Sequence, residues 1–380
     1  MVKNSADVLV IGLGAHGSAA TYNLSRNGLK VIGFDTYHPP HDMGSSHGQA
    51  RVIRKAYSEG PHYVPLVSRS YDLFFQLQEL TGTKMINITG GLQVGRKDSL
   101  RLSSIKKSAE IHGCEIEFMT ADEVRSTWNI FEPEDNMDAV LDIMGGAVFP
   151  EKVIDAHLQL ARINGADLKF NHKIVNWDAS SSSRVRVETE SGDEFFGDKL
   201  IISAGAWAYK LCLDLSLPLS IERQVLFWFN PISDNDMFLP GNSPNHSWEY
   251  EPGHTIYIQP NYGCGVKAAI HHDGLEVDPD TLDRNNVLGS EEKKLISIIR
   301  RYVPSLPGEI VDRSVCMYTN TPDLEFIIDF HPEHSNVLIL SPCSGHGFKF
   351  SPVVGEIAFN LLAEGKSEFN LTPFSINRFT

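Results

Sequence analysis

The chain has 380 residues, an apolar fraction of 42% and a formal net charge of −15. That length suits two domains, or one elaborated one, with a large core. The acidic excess argues against nonspecific binding of nucleic acid or of an anionic membrane surface.

Asp7 to Ile11 reads as a buried strand, and Gly12-Leu13-Gly14-Ala15-His16-Gly17 follows it. Ser18 to Asn27 has a helical period and stops at Asn27-Gly28. A second strand, Lys30 to Phe34, ends at Asp35. This is a complete βαβ nucleotide-binding fingerprint with its acid. Gly12 makes the tight turn, Gly14 lets the backbone approach a pyrophosphate, and Gly17 lets helix and strand pack. Asp35 is placed to hydrogen-bond an adenosine ribose hydroxyl. The spacing does not distinguish FAD from NAD.

A Gly/Ser-rich loop comes next, Gly44-Ser45-Ser46-His47-Gly48-Gln49-Ala50, followed by Arg51, Arg54 and Tyr57. Clustered arginines in a very acidic protein suggest an anion site, because guanidinium forks match carboxylates. Surface arginines paired with nearby acids is the other reading, and the spacing leaves both open.

The chain then alternates. Tyr63 to Leu80 reads as helix, Met85 to Gly95 as one strand, and Leu100 to Ile111 as helix. Thr120 and Glu123 form a capping box. Val153 to Arg162 is a further helix, closed by Asn164-Gly165. Lys173 to Trp177 and Arg184 to Thr189 alternate as strands joined through the Ser180–Ser183 tip, and Lys199 to Ser203 is a buried strand. Such a meander, returning to a strand with a small-residue end, suits an FAD-binding core better than an NAD dehydrogenase. Val225 to Asn230, Thr255 to Gln259 and Val266 to His271 read as a separate sheet.

Near the C-terminus, Cys316-Met317-Tyr318-Thr319-Asn320-Thr321 reads as a polar turn leading into the apolar strand Phe326 to Asp329. Val337 to Leu340 is a second strand. It feeds a glycine-flanked loop, Ser344-Gly345-His346-Gly347-Phe348-Lys349, that opens a helix over Val353 to Leu362. A helix N-terminus offers unpaired N–H groups and partial positive charge, which favour a developing negative charge. The five scattered cysteines form no Cys-x-x-Cys pair, which points to reduced thiols. No apolar run is long enough to span a bilayer and the last residues are not a Ser-Lys-Leu address; the expected location is cytoplasmic.

The stretches at 44–57, 316–323 and 344–349 together resemble the monomeric sarcosine oxidase family, which includes pipecolate oxidases and N-methyltryptophan oxidase. The resemblance covers essentially the whole chain, and its end, Phe374-Ser375-Ile376-Asn377-Arg378, fits as well. It implies an α/β fold, with a Rossmann-like FAD-binding domain and a second, mixed-sheet substrate domain. The expected division is 1–84, 146–215 and 316–380 for FAD, and 85–145 and 216–315 for substrate.

The resemblance also implies roles. FAD would be carried on Cys316 through an 8α-thioether, with Gly12, Gly14, Gly17, Asp35, Gly345 and Gly347 around the cofactor. Arg54 and Lys349 would clamp a substrate carboxylate. Lys267 would promote reduction of O2. His271 and Tyr257 would line the amine side, His47 and Arg51 would lie near the flavin ring, and Tyr318 would pack in the pocket. Taken without the resemblance, Cys316 reads more readily as buried packing, Lys267 as a solvated lysine and His271 as a structural histidine beside His272. Pro342-Cys343 departs from the family pattern and bears on pocket size. The implied activity is oxidation of a secondary amino acid, such as sarcosine or L-pipecolate, to an imine, with O2 reduced to hydrogen peroxide by a monomeric enzyme. No metal site is expected. An NAD(P)-dependent dehydrogenase and a non-catalytic nucleotide-binding module are the competing readings.

Overall fold

Strand Ser5–Ile11 is buried along its inner length because it pairs on both edges, parallel to Val31–Asp35 and to Glu194–Ile202. A parallel strand covered on both faces needs an unbroken apolar run, and Val8-Leu9-Val10-Ile11 supplies it. The computed structural model describes residues 4–181 and 184–379, so the expected serine tip lies partly outside the described residues.

The first sheet runs from Ile174–Ser181 through Arg184–Thr189, Glu194–Ile202, Ser5–Ile11 and Val31–Asp35 to Asp167–Phe170. Strand Glu194–Ile202 serves two partners on one edge. Its beginning pairs antiparallel with the meander, and Leu200 to Ile202 pairs parallel with Val337 to Ile339. Helix Ala15–Arg26 packs against helices Pro150–Ile163 and Ser351–Glu364. The latter approach is close: a Cβ on Gly355 would lie 2.5 Å from the Ala19 backbone.

The second sheet has the order Ile310–Asn320, Ser220–Phe229, Val266–His271, His254–Gln259, Asn245–Glu251, Gly91–Arg96, Met137–Asp142, Ile116–Thr120. Helix Gly289–Tyr302 covers one face, where Tyr302 stacks on Trp248 with ring centroids 5.0 Å apart. A small third sheet joins Arg51–Ile53 and Ile86–Ile88 to Gly146–Val148. The α/β architecture with two large mixed sheets is therefore as expected.

Two local expectations were wrong. Residues 316–320 are not a turn but the end of strand Ile310–Asn320, antiparallel to Ser220–Phe229. Polar Thr319 and Asn320 are buried there, and the Asn320 amide donates to Glu222 at 2.7 Å. The expected domain boundary at 316 thus falls inside a continuous strand of the second sheet. Met85 to Gly95 is not one strand: it breaks at Gly90, whose φ of 84° is left-handed, and its halves enter different sheets. Asn245–Glu251, Met137–Asp142 and Ile116–Thr120 went unrecognised.

Candidate active site

The βαβ turn is shaped as its glycines require. A Cβ on Gly12 would lie 2.4 Å from the Ser203 carbonyl oxygen, and one on Gly17 would lie 1.8 Å from the Gly12 carbonyl oxygen. Gly14 differs: its Cβ direction meets only Ser46 Oγ, at 3.8 Å, so its face is open to a ligand. Gly14 also precedes helix Ala15–Arg26, whose first N–H groups are available to an anion. Asp35 accepts from the Leu13 and Tyr37 amides at 2.8 and 2.9 Å. A cavity of about 410 Å³ is lined by Gly12, Gly14, Asp35, Arg51, Tyr318, Gly345 and Gly347, among others. Gly345 has a φ of 75°, and a Cβ there would meet the Tyr318 ring at 2.7 Å. Gly347 is required by chain packing, since its Cβ would lie 1.6 Å from the Pro342 carbonyl oxygen.

A second cavity, of about 130 Å³, is lined by Arg51, Arg54, Tyr257, Lys267, His271, Tyr318, Gly345 and Lys349, among others. The two cavities share Arg51, Tyr318, Gly345 and Phe348. A chamber large enough for a nucleotide cofactor therefore abuts a small, cation-rich pocket.

Cys316 lies beside this junction. Arg51 Nη2 donates to its sulfur at 3.6 Å and also to the Ser45 and His47 carbonyls at 3.0 and 2.5 Å. Burial pushes the Cys316 thiol up, but His47 and Arg51 outweigh it and bring the pKa down to about 6. Burial likewise opposes the charge on Arg51, and the Cys316 thiolate more than restores it.

Lys267 is buried on strand Val266–His271, donating to the Gly48 carbonyl at 3.0 Å and to that of Ala50. Burial, and then the nearby Arg51, depress its pKa well below the ordinary lysine range. Gly263 and Gly265, which precede this strand, do not bring it to either cavity. A Cβ on Gly265 would meet Val311 and the Phe229 carbonyl, and neither glycine lines either cavity.

Arg54 satisfies both readings of the arginine cluster. Its Nη2 donates to both Glu59 oxygens, at 2.6 and 2.9 Å, yet it lines the small cavity and its Nε is buried with no partner among the described residues. Lys349 donates to the His346 carbonyl at 2.7 Å and to the Tyr57 hydroxyl at 3.2 Å. Both cations flank the Tyr57 ring, at 4.8 and 5.4 Å from its centroid. Burial, then Arg54, depress the Lys349 pKa.

His271 Nδ1 is 3.2 Å from the Tyr318 hydroxyl. Burial, then His272, hold the His271 ring well below the ordinary imidazole range and hence neutral. Tyr257 lies against Tyr318 and is pushed up to about 12, chiefly by burial. Cys343 lines only the larger cavity, so the departure at Pro342-Cys343 bears on the cofactor chamber rather than on the small pocket.

Sequence reasoning missed Glu59, Gln93, Arg101, His246 and Gln259, all of which line the small pocket. None sits in a recognisable motif; the parallel pairing of 91–94 with 245–248 brings Gln93 and His246 together, and nothing local in the chain announces it. Among the described residues no group of three or more His, Cys, Asp or Glu could hold a metal, and no helix is long and apolar enough to cross a membrane.

An open glycine turn leading into a helix, an acid at the end of the second strand and an adjoining cationic pocket define a dinucleotide-dependent redox enzyme. The FAD dependent oxidoreductase family matches residues 7–361, and the chain belongs to that family. Membership settles the nucleotide that the glycine spacing left open, and sets aside the NAD(P)-dependent alternative. The chain is 39% identical over 376 residues to monomeric sarcosine oxidase of Streptomyces avermitilis, covering 98% of this chain and 97% of the relative. It is 34% identical over 376 residues to N-methyl-L-tryptophan oxidase of Citrobacter koseri, covering 98% and 99%. The solved L-proline dehydrogenase of P. horikoshii shares the fold, with a TM-score of 0.86 at 20% identity over 100% and 98% of the two chains.

Proposed function

We propose that the enzyme oxidises a secondary, N-substituted amino acid at its C–N bond and passes the electrons to O2. The observation that carries this reading is the abutment of the two cavities at Arg51, Tyr318 and Gly345, with five cations around the smaller one. The residues of the larger cavity fit FAD: the open face of Gly14 and the helix behind it suit the pyrophosphate, and Asp35 suits a ribose. FAD, when bound there, supplies the electron sink that accepts hydride from the substrate carbon and returns the electrons to O2.

The chain's own groups bind and orient. Arg54, through its spare Nε–H, and Lys349 hold the substrate carboxylate from the two sides of Tyr57. That anion also raises the proton affinity of Lys349, which is depressed when the site is bare. The amine must be unprotonated to assist hydride loss. His271 is neutral, and in the tautomer whose Nδ1–H donates to the Tyr318 hydroxyl the lone pair of Nε2 is left to receive an amine proton. Lys267, whose proton affinity burial and Arg51 depress, regains it beside the anion that forms as O2 takes its first electron, and so supplies the positive charge there. Cys316, as a thiolate, is the residue we assign to a covalent thioether with the flavin.

The division into domains follows the sheets, with the second sheet and its helices forming the substrate side up to Asn320. We assign a monomer. A peroxide-coupled screen of purified enzyme against sarcosine, L-pipecolate, L-proline, N-methyltryptophan and glycated amino acids tests the reading. Peroxide from at least one secondary amino acid is expected, and none from any of them contradicts it.

A further inference from the structure

Three arginines line the small pocket, and two have an anionic partner: Arg51 has Cys316 and Arg54 has Glu59. The third, Arg101, does not. It stands in the first turn of helix Leu100–His112 and reaches into the second sheet. Its Nη2 donates to Gln93 Oε1 at 2.7 Å and to Ser247 Oγ at 2.9 Å. Gln93 and Ser247 are register partners on adjacent parallel strands, so the guanidinium is braced by two neutral acceptors on a rigid surface. Arg101 Nη1 is buried with no partner among the described residues, and so is Gln93 Nε2.

The Glu59 and Glu249 carboxylates act on Arg101 only from a distance, and neither is hydrogen-bonded to it; a buried guanidinium with a spare N–H and no direct counter-ion is costly unless a ligand supplies one. Burial, and then Arg54, pull the Arg101 pKa down to about 10, against the smaller upward effect of the Glu59 and Glu249 carboxylates. Gln259, only 1% exposed on the neighbouring strand, has both amide atoms unpartnered as well. Among the described residues, the only carboxylate lining the pocket is Glu59, which is already engaged by Arg54. The part of the pocket beyond the Arg54–Lys349 clamp is therefore cationic and rich in unused donors, which does not suit a purely apolar substituent.

We infer that the substrate is a secondary amino acid carrying a second carboxylate, bound by Arg101 Nη1 and Gln93 Nε2 while Arg54 and Lys349 take the first. This rests on the amine-oxidase reading above and adds the substrate class. The second carboxylate neutralises Arg101 and takes both orphaned donors in one fork-like contact.

The test uses the holoenzyme and a matched series: N-methyl-L-glutamate, its neutral isostere N-methyl-L-glutamine, and sarcosine. Rates of anaerobic flavin reduction and kcat/KM are measured for each. In the wild type, kcat/KM for N-methyl-L-glutamate should exceed that for N-methyl-L-glutamine by roughly 30-fold or more, the usual effect of one desolvated charge pair. Arg101→Met should collapse that ratio to near one, and Arg101→Lys should retain part of it. A wild-type ratio at or below one, with sarcosine or the amide oxidised, overturns the inference and leaves the oxidase reading standing. Failure of all three compounds to reduce the flavin overturns the inference, and the oxidase reading then stands or falls on the wider panel of secondary amino acids. The wild-type comparison decides the matter even if an Arg101 variant does not fold.

Discussion

The Arg51 guanidinium lies 3.6 Å from the Cys316 sulfur and is held there by the carbonyls of Ser45 and His47. The two groups come from different sheets: Arg51 begins the small bridging sheet, and Cys316 stands in the edge strand of the second. Each stabilises the charged form of the other against burial. The result is a buried, acidified sulfur that lines neither cavity itself but touches Arg51, which lines both.

The ionisation of Cys316 is directly measurable in apoprotein. With the pKa at about 6, the thiolate fraction rises as pH rises through 6 and is nearly complete above pH 7. The rate of iodoacetamide labelling at Cys316 should follow that curve, well below the ordinary thiol range. Arg51→Met should move the midpoint upward. An ordinary thiol midpoint in the wild type contradicts the assignment.

Covalent attachment predicts that acid precipitation of the holoenzyme leaves the yellow colour in the pellet. Cys316→Ser should release it to the supernatant. Colour in the supernatant of the wild type removes Cys316 from this role.

Arg54→Met should weaken binding of a carboxylate inhibitor by roughly 30-fold or more, since losing one partner of a buried charge pair costs about 2–5 kcal/mol. The same change frees Glu59 from its ion pair, so the double variant Arg54→Met/Glu59→Gln separates the two effects. If Glu59→Gln restores full affinity, Arg54 is a structural partner of Glu59 and nothing more.

The site was partly legible in the chain. Gly12, Gly14, Gly17 and Asp35 could be read because their function depends on local spacing within a single βαβ unit. Cys316 was singled out in the chain but misplaced as to structure: Thr319 and Asn320 look like turn residues, and only the pairing with Ser220–Phe229 and the bond to Glu222 make them strand. Arg101 was invisible. On a helix that begins Leu100-Arg101 it reads as a solvated side chain, and its partners Gln93 and Ser247 meet only through a parallel pairing of strands far apart in the chain. Gly90 similarly looked like a tolerated residue within a strand, because its left-handed φ depends on where the two halves dock.

Lys267 is assigned to oxygen rather than to the amine. Lys267→Met keeps the bulk and removes the charge. Anaerobic flavin reduction by substrate should stay within about tenfold of wild type. Reoxidation should slow by roughly a hundredfold or more, as expected when one preorganised electrostatic group worth about 2.7–4 kcal/mol is lost. A collapse of reduction with normal reoxidation instead places Lys267 in the substrate site.

The central claim is that a secondary amino acid in the small pocket reduces a flavin in the large one. Anaerobic stopped-flow mixing of the purified holoenzyme with the panel of secondary amino acids tests it most directly. The account predicts that at least one of them bleaches the flavin in a saturable, single-turnover step, and that admitting O2 restores the colour with release of hydrogen peroxide. A flavin that stays oxidised with every secondary amino acid, or bleaches only with a reduced nicotinamide nucleotide, contradicts it.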